Sequence, residues 1–165
     1  GLQVLLQALS FVKDQGARIK LLVAGRDRPQ PFLRACRRMG IEDRVAFMGT
    51  MNRIEGAYAA ADLFVLPTHY DPFGYSCLEA MACGLAVITT ANAGAAEIVE
   101  EGKNGSVVPS GDPILLAEAI ARRWREGRWG ELNPDSWRTA SALTLERNAD
   151  AILSLFSALK GAGGR

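Results

Sequence analysis

The sequence predicts an α/β fold in which helices cover both faces of a parallel β-sheet. Short runs of apolar and β-branched residues recur along the chain, and several of them stop at a glycine or a proline. Segments with apolar residues at helical spacing lie between these runs. This alternation is typical of buried parallel strands with helices packed on either side.

Composition supports a globular domain and excludes few functions. The chain has 165 residues, of which 48% are hydrophobic and 22% charged, with a formal net charge of +1. These values disfavour a disordered chain and a nucleic-acid partner, and the length is about half of what a two-domain enzyme needs. The longest uncharged run, 80–96, is too short to span a bilayer, so we expect no transmembrane helix.

Periodicity predicts the first four elements. Leucines at helical spacing predict a helix over 2–14, and the continuous apolar run Ile19–Ala24 predicts a buried strand. A helix over 31–39 and a short strand over 45–48 follow.

Turn-forming residues delimit the next elements. Pro67 stops an apolar run, Gly84 ends a helical pattern, and β-branched residues after it favour a strand. The predicted elements are a helix over 53–60, a strand over 63–66, a helix over 76–83, a strand over 86–90, a helical turn over 95–99, a strand over 106–108 and a helix over 113–126.

Residues 131–165 differ from the preceding domain, which we place at 1–130. No strand pattern follows Asn133, and apolar residues such as Trp137 and Phe156 predict two more helices before a glycine-rich end. This helical tail either packs on its own sheet or reaches another domain of a longer protein. We expect the sequence to begin inside such a protein, because it starts without Met and without a signal-peptide pattern.

The cysteine and histidine content disfavours a metal site. Cys36, Cys77 and Cys83 are odd in number and show no C-x-x-C spacing, which predicts free thiols in a reducing compartment. His69 is the only histidine, and we interpret it as a hydrogen-bonded structural residue near a ligand-binding loop. We therefore expect no protein-bound metal and no cofactor.

Ligands of open parallel sheets bind beyond the carboxyl ends of the strands, and the loop after the 63–66 strand is the most unusual there. Glu79 is the only charged residue between Pro72 and Ala96, in a helix whose other positions look buried. Such a carboxylate needs a hydrogen-bonding partner. Either it forms a capping box with the amide of Ser76, or its two oxygens accept from the hydroxyls of a ribose.

Small residues surround this carboxylate. Gly74 allows a ligand to approach the backbone, the helix N-terminus that follows offers free amides to a phosphate, and Gly94 makes a second close approach. The alternative for both glycines is ordinary turn chemistry.

Arginines near the end of the 113–126 helix also have two interpretations. Arg122, Arg123 and Arg125 surround Trp124, and a further Arg–Trp pair follows at 128–129. One interpretation is contact with an anionic lipid surface or a nucleic acid. The other is the exposed last turn of a helix whose dipole favours cations, with Trp124 turned inward.

Three segments resemble a known family: RVAFMG, then YAAADLFVLPT, then DPFGYSCLEAMACGLAVITTANAGAAEIVEEGKNGSVVPSGDPILLAEAI. They run from Arg44 to Ile120 and are similar to the donor-binding C-terminal half of retaining glycosyltransferases of family 4. The similarity extends more weakly to the first helix and to 23–25. The resemblance implies a Rossmann-like parallel sheet with helices on both faces, the C-terminal half of a GT-B fold, truncated at its N-terminus.

The resemblance also implies roles for two acidic residues. Asp71 and Glu79 occupy the acidic positions of the family's E-x7-E motif, where the first contacts donor-sugar hydroxyls and the second contacts the ribose. We predict both as catalytic-site residues. Asp71 is one methylene shorter than the family's Glu, so its contact with the sugar must shift or pass through water.

Further donor-binding residues are implied in the same way. Met48 and Gly49 lie where the family holds the nucleotide base, and we add Gly94 as a close-approach residue. The segment whose backbone amides meet the sugar and diphosphate comprises Phe73, Gly74, Tyr75 and Ser76.

Cations for the diphosphate are the main departure from the family pattern. The family has a strand and a loop ahead of the first helix, and that loop supplies an Arg and a Lys. Arg26 is the nearest substitute in this sequence, unless it is a solvated loop residue. Its segment GRDRPQPFLRACRRMG is also similar to glycosyltransferases of the lipopolysaccharide inner core.

The implied activity is transfer of a sugar from a nucleotide-diphosphate sugar to an acceptor hydroxyl with retention, without a metal. The acceptor, a glycan or lipid-linked glycan, would bind largely through an N-terminal domain, so we expect this chain alone to be inactive. Cell-envelope or lipopolysaccharide synthesis in the cytoplasm, with peripheral contact to the inner membrane, is the expected setting. The alternatives are a non-catalytic nucleotide-binding protein with a degenerate site and a nucleotide-sugar epimerase of related fold.

Overall fold

The computed structural model describes residues 1–26, 28–127 and 131–162, and the Arg–Trp pair predicted at 128–129 lies outside them. The elements are α1 (Leu2–Asp14), β1 (Leu21–Ala24), α2 (Gln30–Met39), β2 (Val45–Gly49), α3 (Glu55–Ala59), β3 (Leu63–Leu66), α4 (Tyr75–Ala82), β4 (Ala86–Thr90), β5 (Gly105–Val108), α5 (Pro113–Glu126), α6 (Pro134–Ala142) and α7 (Leu145–Ala162). Short 3₁₀ turns lie at Glu42–Arg44 and Gly94–Ile98. The predicted α/β fold class is confirmed.

All three strand pairs are parallel, but the strands fall into two sheets. One sheet pairs β1 with β2, in register Leu21 with Val45, and the other has the order β3-β4-β5. Among the described strands, only β4 is buried along its whole length. It has a hydrogen-bonded neighbour on each side, and its two faces pack into different core clusters, through Val87 and Ile88. The strand predicted at Ile19–Ala24 is present, but it starts at Leu21 and is not fully buried, since Leu22 is 45% exposed.

Helix α1 connects the two sheets through two neighbouring apolar stripes. Leu5, Ala8 and Val12 pack in a core cluster with residues of β4, β5 and α5. Leu6 and Leu9 face a second cluster formed with α2 and the adjoining loop. Because these stripes are offset by about one residue around the helix, one helix closes two parts of the core.

The described residues leave one edge of β1 and one edge of β3 without a strand partner. Leu21 of β1 and Leu63 and Val65 of β3 pack against the same core cluster, so both strands border the same part of the molecule. The strand that the resemblance implies ahead of α1 stays a prediction.

The two tail helices differ in how they pack. Helix α6 lies against α4 and is held by buried polar side chains: Asn104 donates to Thr139, and Asn133 donates to the Lys103 carbonyl. Residues 145–160 of α7 are all exposed, including Leu153 and Phe156. Helix α6 therefore packs on its own domain, whereas α7 turns a row of apolar side chains to solvent.

Candidate functional site

Two loops join at the carboxyl edge of the β3-β4-β5 sheet, where the candidate site lies. Asp71, in the loop after β3, bridges to Ala93 in the loop after β4, and the Asp71 carbonyl accepts from the Gly94 amide at 3.0 Å. Asp71 Oδ1 also accepts from the amide of Phe73 at 3.1 Å. One carboxylate oxygen of Asp71 therefore already accepts a hydrogen bond from its own loop.

Two glycines allow this close approach of chain to chain. A Cβ on Gly94 would overlap the carbonyl oxygen of Pro72 and lie 3.0 Å from the Cα of Phe73. Gly74 has φ +85°, and a Cβ there would lie 2.9 Å from a methyl group of Leu66. Both glycines thus serve the packing of the loops, which by itself accounts for them.

Helix α4 begins one residue earlier than predicted, and the capping box, one of the two alternatives for Glu79, is absent. Gly74 in the left-handed conformation is the N-cap, with no side-chain capping bond, so Ser76 lies inside the first turn. The amides of Tyr75 and Ser76 belong to that turn, which has no intrahelical acceptor for them. Tyr75 is 69% exposed, and its ring lies 5.0 Å from that of Phe73.

Glu79 receives its hydrogen bond from a tyrosine of another helix. The hydroxyl of Tyr58, in α3, donates to Oε2 of Glu79 at 2.9 Å. Tyr58 is 6% exposed, and burial together with the neighbouring Glu79 carboxylate raises the pKa of its phenol, so the hydroxyl keeps its proton. Glu79 itself is exposed, which corrects the expectation of a buried carboxylate.

The remaining predicted donor residues lie at the ends of the other sheet. The Gly25 amide donates to the Gly49 carbonyl at 2.9 Å, which joins the loops after β1 and β2. Met48 is 47% exposed beside Gly49, which has φ +66°. Arg26 lines an open groove with Arg28 and Arg34. The structure therefore brings Asp71, Phe73, Gly74 and Gly94 into contact. It places Tyr75, Ser76 and Glu79 on α4, which follows directly, and it places Met48, Gly49 and Arg26 at the ends of β1 and β2.

Sequence reasoning missed two contacts of this edge. Tyr58 lies in the motif YAAADLFVLPT, but its pairing with Glu79 joins positions 21 residues apart and has no local signal. Gly1, the N-cap of α1, is so close to Pro67 that a Cβ would overlap the Pro67 carbonyl oxygen. The N-terminus of α1 thus reaches the carboxyl end of β3.

Hydrogen bonds and ion pairs give partners to the side chains whose roles the sequence left open, and contact of the arginines with lipid stays a prediction. His69 Nδ1 lies 3.3 Å from the hydroxyl of Ser110, in agreement with a hydrogen-bonded role. Arg122 pairs with Glu101, and Arg123 pairs with Glu126 at 2.8 Å. Trp124 packs partly buried against the core, so the arginines form the charged end of a helix.

Within the described ranges, no helix is long and apolar enough to cross a membrane. The same ranges contain no group of three or more His, Cys, Asp or Glu side chains placed to hold a metal ion. All three cysteines are free, as predicted, and Cys36 and Cys77 are buried.

The site combines an exposed carboxylate, free helix amides and close-packed glycine loops at the carboxyl edge of parallel strands. This combination defines an α/β domain suited to a ligand with hydroxyl and phosphate groups. The chain belongs to the family of glycosyl transferases group 1, whose model matches residues 1–126.

Individual relatives agree with the family. D-inositol 3-phosphate glycosyltransferase 2 of Catenulispora acidiphila is 35% identical over 130 residues, which are 72% of this chain and 30% of that protein. The crystal structure of Anabaena HepE in complex with UDP superposes with a TM-score of 0.81 at 27% identity, covering 95% of this chain and 45% of that one. WaaG, a glycosyltransferase involved in lipopolysaccharide biosynthesis, gives 0.79 at 26% identity, covering 92% and 43%. HepE has also been solved with UDP-glucose. The chain thus spans less than half the length of these relatives.

Proposed function

We propose that this chain is the donor-binding half of a glycosyltransferase and binds a nucleotide-diphosphate sugar. The observation that carries the proposal is the exposed Glu79 carboxylate, held by Tyr58 on a helix whose first-turn amides are free. A carboxylate accepts from the hydroxyls of a ribose, and helix amides bind phosphate oxygens. The HepE complexes with UDP and UDP-glucose support a ligand of this class.

The proposed roles follow the positions of the residues along the edge. Glu79 binds the ribose, the amides of Tyr75 and Ser76 face the diphosphate, and Asp71 contacts the sugar through its second carboxylate oxygen. Met48 and Gly49 lie beside the base. Phe73 and Gly74 complete the loop at the sugar and diphosphate, Gly94 keeps the facing loop close, and Arg26 supplies positive charge.

In the intact protein, these groups act in sugar transfer with retention. Amides and cations in fixed positions stabilise the charge that develops on the leaving diphosphate, and no protein-bound metal is required in this proposal. The acceptor glycan or lipid-linked glycan binds largely through a second domain, and the 165-residue chain alone transfers no sugar. The similarity to WaaG, a glycosyltransferase involved in lipopolysaccharide biosynthesis, supports cell-envelope synthesis as the setting. The cytoplasm, with peripheral contact to the inner membrane, is part of the same proposal.

A titration of amide resonances with UDP-, GDP- and ADP-glucose tests the proposal. We expect one nucleotide sugar to shift Met48, Gly49, 73–79 and Gly94. Glu79→Gln should weaken binding about tenfold or more, because a hydrogen bond to a charged group contributes about 1.5–3 kcal/mol. The matched control is Glu118→Gln, which alters an exposed glutamate of α5. If no nucleotide sugar shifts these resonances, the proposal is wrong for this chain.

A non-catalytic nucleotide-binding protein is the second candidate function, because Asp71 stands where the family pattern has Glu. The Phe73 amide takes one lone-pair position of Asp71 Oδ1, which leaves Oδ2 and the second position of Oδ1 for a sugar hydroxyl. Asp71→Glu in the full-length protein separates the two candidates. Similar transfer rates of both forms favour an enzyme, and a large gain favours a degenerate site.

A further inference from the structure

We propose that Tyr58 is a positioning residue that fixes the carboxylate of Glu79 for the two hydroxyls of a ribose. The inference rests on the proposed function and adds a group from a helix that carries none of the donor-site residues assigned above. Its basis is the hydrogen bond from the Tyr58 hydroxyl to Glu79 Oε2 at 2.9 Å.

The tyrosine ring is held on several sides. Tyr58 packs in a cluster with Cys77 and Met81 of α4, and its ring meets that of Phe64 edge-on, with centroids 5.7 Å apart. A ring so enclosed holds its hydroxyl at one place relative to α3, α4 and β3. The hydroxyl therefore provides a fixed donor at the base of the site.

The side chain of Glu79, in contrast, has conformational freedom that ligand binding would remove. Glu79 is exposed, and a glutamate side chain has three rotatable bonds whose ordering costs free energy when a ligand binds. Among the described residues, Tyr58 is its one hydrogen-bond donor. Fixing Oε2 before the ligand arrives removes part of that ordering cost.

The geometry leaves enough acceptors for a diol. An ionised carboxylate has about four lone-pair positions on its two oxygens. Tyr58 occupies one position on Oε2, which leaves Oε1 and the second position of Oε2 for two hydroxyls. The raised pKa of the phenol keeps Tyr58 a donor throughout the neutral range.

A comparison of two nucleotides separates this role from a structural one. Binding of UDP and of 2′,3′-dideoxy-UDP is measured on the 165-residue chain and on its Tyr58→Phe variant. We expect the variant to bind UDP about 3- to 10-fold more weakly, in line with one lost hydrogen bond, and to bind the dideoxy compound as wild type does. In a Glu79→Ala background, Tyr58→Phe should cause no further loss. Tyr70→Phe, which removes the hydroxyl of a 76% exposed tyrosine, is the matched control.

The wild-type protein supplies a second measurement if the variant does not fold. The Cζ resonance of Tyr58 should shift on binding UDP and stay in place with the dideoxy compound.

Distinct outcomes overturn the two proposals. If Tyr58→Phe weakens both nucleotides equally, or weakens neither, the role of Tyr58 is wrong while the nucleotide site stands. A Cζ shift of the same size with both nucleotides has the same meaning. If the wild-type chain binds neither UDP nor any of the three nucleotide sugars of the titration, the proposed function is wrong. The proposed role of Tyr58 is then wrong as well.

Discussion

Gly94 and Gly74 determine the shape of the candidate site because they have no side chains. Their Cα atoms lie where two loops touch, and a Cβ on Gly94 would meet backbone atoms of Pro72 and Phe73, which cannot rotate away. Turn propensity identified both as glycine positions in loops but did not show which contact excludes a side chain. The sequence therefore predicted where the loops lie, and the structure shows which contacts exclude a side chain at each glycine.

Gly94→Ala should destabilise the domain and abolish nucleotide-sugar binding. The loops must separate to admit the methyl group, at a cost of about 1–3 kcal/mol, as for other overpacked sites. Thermal unfolding and the resonance titration measure the two effects.

Gly56→Ala is the control for this change. Gly56 lies in α3 with open space around its Cα, so the substitution should stabilise the helix by up to about 1 kcal/mol. If Gly94→Ala matched Gly56→Ala in stability and binding, the packing argument would be wrong.

Glu79 and Ser76 show what spacing can and cannot predict about single residues. The pattern S-x-x-E fits a capping box at any helix start. Whether Ser76 is the N-cap depends on Gly74, which takes that position in the left-handed conformation, so that α4 starts one residue earlier. The partner of Glu79 lies on another helix, so no local pattern could identify it.

Helices α6 and α7 adjoin in sequence but differ in what holds them. Asn104 is 1% exposed, accepts from the Glu100 amide and donates to Ile98 and Thr139, so it joins a loop to α6. Helix α7 has no such contacts, and Leu145 is 80% exposed. The two helices therefore make unequal contributions to the stability of the domain.

Ending the chain at residue 143 should leave the unfolding temperature within a few degrees of the intact value. The large apolar residues of α7 remain 46–80% exposed, so their loss should cost the domain little, and their removal should also reduce self-association. Thermal unfolding and light scattering measure these effects. Ending the chain at residue 130 should lower the unfolding temperature clearly, because it strips partners from Asn104 and uncovers α4. Equal melting of both truncated chains would contradict this division.

Element boundaries were predictable where the sequence marks both ends. The strand at 63–66 is bounded by Asp62 and Pro67, and the strand at 86–90 follows a glycine turn; the structure has both with the predicted bounds. The strand predicted from Ile19 loses its first two residues because ladder pairing with β2 begins at Leu21. Pairing partners, which lie elsewhere in the chain, decide such an end.

On the scale of the molecule, the strands form two parallel sheets joined by α1 rather than the single sheet that alternation predicts. Alternating helices and strands specify parallel pairing and crossover, but not whether every neighbouring strand is present. The expectation that a strand is missing between neighbours came from the resemblance, which implies a strand ahead of α1. The α/β fold class could thus be predicted from the pattern, but the separation of the strands into two sheets could not.

Amide hydrogen exchange should reveal this division in the 165-residue chain. Amides of β4, paired on both sides, should exchange slowest, and those of β1 and β3 that point away from their partner strands should exchange much faster. The measurement is exchange followed by resonance intensity. Uniform slow exchange in β1, β3 and β4 would show that the gap is closed in solution.

The packing of α1 on α5 sets the order of events during synthesis. The α1 stripe formed by Leu5, Ala8 and Val12 finds its main partner only when residues 113–126 have been made, whereas Leu6 and Leu9 can pack against α2 earlier. A stalled nascent chain that lacks α5 therefore presents α1 to chaperones and proteases, and quality control can discard it before the domain closes.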